Sequence, residues 1–98
     1  MKPFRFHPKA DAEFADAAEY YARISPQLGQ RFCATIQELI GEICSAPGRY
    51  RMIVPPVRRH FRMPFPYAVL YIDRADFVWI VAVSPFKRDP NYWRSRLD

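Results

Sequence analysis

Glycine is scarce in this chain, and its scarcity excludes several familiar chemistries. Only Gly29, Gly41 and Gly48 occur among the 98 residues, and they are widely separated. A loop that cradles nucleotide phosphates needs several closely spaced glycines, so no such fingerprint is present. The G-x-S-x-G turn that carries the nucleophile of α/β hydrolases is missing as well. The most recognisable catalytic signatures are therefore lacking.

Cysteine is equally rare, and its spacing speaks against a disulfide or a metal site. If Cys33 and Cys44 lie on one helix, about 16 Å of axial rise separates them, whereas a disulfide needs about 7 Å or less between Cα atoms. A zinc site built from these two with His7 and His60 has no close-spaced ligand pair. We expect two small core cysteines, no metal and no cofactor.

Long apolar runs are also lacking. None approaches the roughly 18 residues that a membrane span needs, and the N-terminus has no apolar signal-peptide region. The sequence predicts a cytoplasmic protein with no membrane partner.

What the chain has in abundance is positive charge, concentrated in its second half. Residues 1–48 carry five Lys/Arg and six Asp/Glu, whereas residues 49–98 carry ten and four. This asymmetry favours an anionic partner, either nucleic acid or an acidic protein segment. A soluble surface with scattered positive charge is the alternative.

The first half of the chain predicts a short strand and two helices. Residues 4–6 alternate apolar and charged side chains, as in a strand. An amphipathic pattern then runs from Lys9 to about Arg23. Ser25 and Pro26 are a hydroxyl N-cap and a first-turn proline, so a second helix begins there and ends at residues 46–48. Two helices with so short a linker form an antiparallel hairpin.

In the second half the hydrophobic rhythm changes to a period of two. Residues 49–56 are expected to form a loop, and residues 67–72 and 77–83 to form a β-hairpin of buried strands. The resulting order, β-α-α-β-β-β, predicts an α+β fold in which an antiparallel sheet packs against the N-terminal helical hairpin. We expect one domain, residues 1–98, with a short C-terminal helix or turn.

The first strand after the loop carries the clearest cationic pattern. Alternation over residues 57–62 places Arg58, His60 and Arg62 on one face, predicted to face solvent, and Arg59 on the apolar side. Together with the C-terminal segment, this pattern predicts contacts with a binding partner from Arg58, Arg59, Arg62, Lys87, Arg88, Tyr92 and Trp93. A solvated strand edge guarded by charge, and a tryptophan that only seals the sheet, remain alternatives.

Taken over its whole length, the sequence resembles the ParE branch of the RelE/ParE superfamily, the toxins of type II toxin–antitoxin (plasmid stabilisation) modules. The segments that carry the resemblance are Glu19-Tyr20-Tyr21, Ile24-Ser25-Pro26-Gln27-Leu28-Gly29, Arg31-Phe32, Pro47, Arg49-Tyr50, Val57-Arg58-Arg59, Phe65-Pro66-Tyr67, Tyr71, Ala82-Val83, Lys87-Arg88-Asp89-Pro90 and Tyr92-Trp93. Their order and spacing are more specific than any one of them.

The resemblance implies a small growth-inhibiting toxin that a cognate antitoxin neutralises in a hetero-oligomer. ParE-like members inhibit DNA gyrase by binding, whereas RelE-like members are endoribonucleases that cleave mRNA on the ribosome. RelE-like nucleases carry an arginine three residues before the tyrosine that matches Tyr71, and Ala68 stands there instead. The ParE-like function, which is not enzymatic, is therefore favoured. Were the chain a nuclease, its catalytic residues would be His60, Arg58, Arg62, Arg88 and Tyr92.

Overall fold

The computed structural model describes residues 1–97, in which two helices pack on one face of a five-stranded sheet. The elements in chain order are β1 (Phe4–Phe6), α1 (Pro8–Ile24), α2 (Pro26–Ser45), β2 (Arg51–Val54), β3 (Val57–Phe61), β4 (Tyr67–Asp73), β5 (Val78–Pro85) and a C-terminal 3-10 turn (Arg94–Arg96). The predicted α+β class and the short C-terminal turn are confirmed.

The two helices meet at a single shared residue. Ser25 ends α1 by donating its backbone N–H to the carbonyl of Tyr21, and it caps α2 by accepting the N–H of Leu28 on Oγ at 3.0 Å. His7 caps the start of α1, where Nδ1 accepts the N–H of Lys9 at 3.0 Å. Because a single residue links the two helices, they fold back on each other as the predicted antiparallel hairpin.

The sheet has the order β1-β5-β4-β3-β2 and differs from expectation in two ways. The edge strand β1 runs parallel to β5, while the other neighbours are antiparallel. Within the expected loop 49–56, Arg51–Val54 forms the extra strand β2. Only four residues long, bulged at Ile53 and followed by two prolines, β2 gives too short a pattern to be recognised in the sequence.

Strand β5 contains a bulge at Val81, and its buried side chains belong to cores on both faces of the sheet. Tyr71 pairs with Ile80 and Leu70 pairs with Ala82, so Val81 has no partner on β4. The extra residue changes which side chains face the helices. The helix side buries Val69, Tyr71, Val78, Ile80 and Val83 against Phe32, Ile36, Leu39, Ile40 and Ile43.

The opposite face of the sheet has a smaller core of its own. The C-terminal segment crosses this face and places Trp93, 1 % exposed, against Val57, Leu70 and Val81. The hydroxyl of Tyr71 lies on the helix side and donates to the carbonyl of Pro47 at 2.6 Å, and burial raises the pKa of Tyr71 to about 12. Both faces of the central strands are therefore covered.

Gly29 sets how closely the helices approach. A Cβ built there would lie 2.7 Å from the Cβ of Ala22 and 2.9 Å from its Cα. The atoms in the way belong to the backbone and a methyl group, so no side-chain rotation relieves the clash. The hairpin can close this tightly only because position 29 lacks a side chain.

We expect Gly29→Ala to destabilise the fold by about 1–3 kcal/mol, since overpacking outweighs the gain in helix propensity. Gly41→Ala on the same helix is the matched control. Its added methyl meets nothing within 4 Å, so it should stabilise by up to about 1 kcal/mol. Urea unfolding measures both. Equal stability of the two variants would contradict the close approach.

Candidate functional site

The cationic row of β3 faces helix α2, so the prediction that it faces solvent is wrong. Arg62 donates to Glu42 and, at 3.1 Å, to Glu38, while His60 Nε2 lies 2.7 Å from Glu42 Oε1. The two glutamates stand one turn apart on α2, directly over the alternate positions of β3. Sequence periodicity finds the row but not the helix that covers it.

Each side chain of the row has a partner within the molecule. Hydrogen bonds from His60 and then from Arg62 lower the pKa of Glu42, so this carboxylate stays ionised. Arg58 donates to the backbone carbonyl of Tyr50 at 2.9 Å, and the Tyr50 ring stacks on His60 at 3.7 Å between centroids. These contacts attach β3 to α2 and to the residues before β2, which is a structural role.

Two other predicted cations, Arg59 and Arg88, lie on the opposite face, and their side chains make no hydrogen bond or ion pair within residues 1–97. The Arg59 guanidinium lies over the rings of Phe61 and Phe86, 4.7 and 5.4 Å from their centroids. That of Arg88 lies 3.9 Å from the centroid of Tyr92. Both charges are held by aromatic faces and are not neutralised by carboxylates.

A cavity of about 340 Å³ lies between these two arginines, and we call it the arginine groove. Its apolar floor comes from Ala68 and Leu70 of β4. Its full lining is Ile53, Arg59, Ala68, Leu70, Ser84, Pro85, Phe86, Arg88, Pro90 and Trp93. The lining therefore contains two cationic residues and no acidic one.

A third arginine adds to the charge at this face. Arg51 of β2 and Arg59 of β3 are direct cross-strand partners, so both side chains leave the sheet on the same side. Like charges placed directly opposite on neighbouring strands destabilise a sheet. Arg51 was not among the residues predicted from the sequence, because its strand was not recognised.

An ion pair between Glu13 and Arg96 fixes the C-terminal segment, which forms one wall of the groove. Arg96 donates to both carboxylate oxygens of Glu13 at 2.9 Å and to the carbonyl of Val81 at 3.0 Å, and Glu13 accepts the N–H of Val83 at 3.1 Å. Because β1 ends at Phe6, these backbone groups of β5 have no strand beside them. The pair takes the place of that strand.

Tyr92 connects this pair to the groove. Its ring lies 5.0 Å from the Arg96 guanidinium as well as under that of Arg88, and burial raises the pKa of its hydroxyl. Trp93 is a core residue, as the sealing interpretation proposed. Lys87 is exposed and lines a separate cavity beside Tyr20 and Tyr67.

The sheet separates the residues of the hypothetical nuclease site. Arg58, His60 and Arg62 lie on the helix side, whereas Arg88 and Tyr92 belong to the other face. Ala68 lies in the floor of the arginine groove, with no group that could contact a phosphate. Within residues 1–97, no three His, Cys, Asp or Glu residues cluster as metal ligands, and no helix is long and apolar enough to cross a membrane.

A second concave surface lies on the helix side, between α2 and the edge strand β1. This N-terminal groove encloses about 510 Å³ and is open at Gly41, where an added Cβ meets nothing within 4 Å. Its lining is Met1, Lys2, Pro3, Phe4, Phe6, Phe14, Gln37, Ile40, Gly41 and Cys44. The N-terminal groove therefore lies where the helical hairpin meets the edge of the sheet.

The comparisons with known proteins agree with this architecture. The family model of the ParE toxin of the type II toxin–antitoxin system, parDE, matches residues 4–90. The chain therefore belongs to the ParE toxin family. A solved structure described as the chromosomal ParDE TA system from P. aeruginosa superposes with a TM-score of 0.76 at 19% identity, covering 89% of this chain and 98% of that one. A comparison with curated proteins finds no match.

Replacing Arg96 by alanine should destabilise the protein by about 3–5 kcal/mol, because it leaves Glu13 buried without its partner. The two side chains are only 8% and 17% exposed. The exposed pair Arg23–Glu19, 77% and 61% exposed, is the control, and Arg23→Ala should cost about 0.5 kcal/mol or less. Urea unfolding followed by tryptophan fluorescence tests both variants. If Arg96→Ala lowers the free energy of unfolding no more than Arg23→Ala does, the stabilising role of the Glu13–Arg96 pair is contradicted.

Proposed function

We propose that this ParE-family chain acts by binding, as an inhibitor of DNA gyrase, and that its target contacts the arginine groove. The observation that supports this is the pair of arginines held on aromatic rings beside an apolar floor. Arginine and aromatic residues at the centre of a concave surface are typical of binding hot spots. A toxin acting on gyrase works inside the cell, so the expected cytoplasmic location is part of this proposal.

The alternative, a ribosome-dependent mRNA endoribonuclease, requires at least two positioned groups for proton transfer. His60, its natural base, is bonded to Glu42 and stacked on Tyr50, and the sheet separates it from Arg88 and Tyr92. Contact between Arg88 and Tyr92 is the one observation that favours a nuclease. Alone, it supplies no general base at neutral pH, and this supports binding over catalysis.

One parallel assay separates the two functions. Purified protein should inhibit supercoiling by gyrase and leave mRNA intact on translating ribosomes. Arg59→Glu should raise the inhibitory concentration about thirtyfold, the size expected of a hot-spot arginine. Arg31→Glu, on the exposed surface of α2, should leave it unchanged. Cleaved mRNA, abolished by His60→Ala or Arg88→Ala, would instead establish the nuclease.

We further propose that a cognate antitoxin neutralises the toxin by laying an apolar segment in the N-terminal groove, within a hetero-oligomer. The apolar lining of this groove supports it, since amphipathic partners dock through regularly spaced apolar side chains. Arg58 and Arg62, predicted to meet antitoxin carboxylates, are already engaged with Tyr50 and with Glu38 and Glu42. Any contact they make would have to share those partners.

Gly41→Trp should fill the N-terminal groove and weaken antitoxin binding about a hundredfold without unfolding the toxin. Gly48→Trp, where the added Cβ also meets no atom within 4 Å, is the matched control. Calorimetry with the cognate antitoxin measures the affinity, and growth assays should show that this antitoxin no longer rescues cells that express Gly41→Trp. Equal affinities for both variants would remove the groove from the interface.

A further inference from the structure

We propose that the arginine groove recognises an extended acidic peptide segment that carries an apolar side chain, and that this segment belongs to the toxin's target. The inference rests on the proposed binding function and names the chemistry of its partner. The groove alone carries the argument, through three properties: its unneutralised charge, the way that charge is presented, and its apolar floor.

The first property is the positive charge of the groove. Arg58, Arg62 and Arg96 each have an oxygen partner within the fold, whereas no such partner is present for Arg59 and Arg88 in the described chain. Arg51 faces Arg59 directly across β2 and β3. Arginines gathered on one face without a carboxylate among them are stabilised when carboxylates approach.

The way in which the arginines are held bears on the kind of partner. A guanidinium placed over an aromatic ring still presents the N–H donors at its edge, which match a carboxylate or a phosphate in bidentate fashion. Arg59 already covers the faces of Phe61 and Phe86 that a nucleic-acid base would need for stacking. This arrangement favours a peptide over a single-stranded nucleic acid.

The floor of the groove accounts for the apolar side chain. Ala68 and Leu70 line the groove together with the two arginines, Ile53 and Trp93. Sugar and phosphate groups gain nothing from such a surface, whereas one aliphatic or aromatic side chain would bury itself there. Ala68 is small enough to leave that space open.

The groove and the N-terminal groove lie on opposite sides of the sheet. The first uses strands β2 to β5 and the C-terminal segment, and the second uses β1, α1 and α2. A segment bound in the arginine groove therefore does not compete for space with one in the N-terminal groove. The target segment is thus distinct from the antitoxin segment proposed above.

The test is site-specific photo-crosslinking in living cells that express the toxin without its antitoxin, followed by sequencing of the crosslinked peptide. Benzoylphenylalanine replaces Phe86, which is 43% exposed beside the groove, and replaces Met52, 40% exposed on the other face of the β2 edge, as the control. A second probe at Pro90, also in the lining, keeps the test valid if the Phe86 variant folds poorly. Each variant must still arrest growth.

The groove probes should capture, and the Met52 probe should not, a peptide rich in Asp and Glu around an apolar residue, and Arg59→Glu should reduce that product at least tenfold. Such a peptide from a protein other than gyrase would support this inference and refute the gyrase proposal. A gyrase peptide without acidic residues would refute this inference alone. Crosslinks to DNA or RNA, or none at either groove position, would overturn it.

Discussion

The buried pair of Glu13 and Arg96 is the interaction on which the rest of this structure depends. It joins residues 83 positions apart and supplies partners to the edge of β5 where β1 has ended. Because Arg96 is fixed, the C-terminal segment crosses the sheet and Trp93 is buried. The same segment carries Arg88 and Pro90, so the pair helps to position one wall of the arginine groove.

Strand β3 shows how one short sequence serves two purposes. His60 and, just after the strand, Arg62 meet Glu38 and Glu42 of α2, which attaches the strand to the helical layer. Its odd-numbered arginine, Arg59, leaves the sheet on the other side and lies on aromatic rings. Net charge alone does not distinguish the two groups. What distinguishes them is whether a carboxylate lies within reach after folding.

The helical half of the fold could be predicted closely because its signals are local. Ser25 and Pro26 mark the boundary between the helices within two residues, and the change to a period of two predicted the three strands of residues 57–83. The parallel β1 and the facing of β3 could not be predicted, since each depends on elements distant in sequence. Arg59 and Arg88 were among the candidates, but their shared groove requires Tyr92 and Phe86 to hold them, which no spacing in the sequence reveals.

The bulge at Val81 limits how this chain can change over evolutionary time. Beyond the bulge the side chains of β5 alternate in the opposite sense, so that Val83 reaches the helices and Ala82 the other face. Deleting any single residue between Ile80 and Val83 would move the side chains at the end of the strand to the opposite face of the sheet. Substitutions of similar volume remain open to the lineage at these positions. Insertions and deletions are not tolerated there, so the length of β5 is more strongly constrained than the identity of its residues.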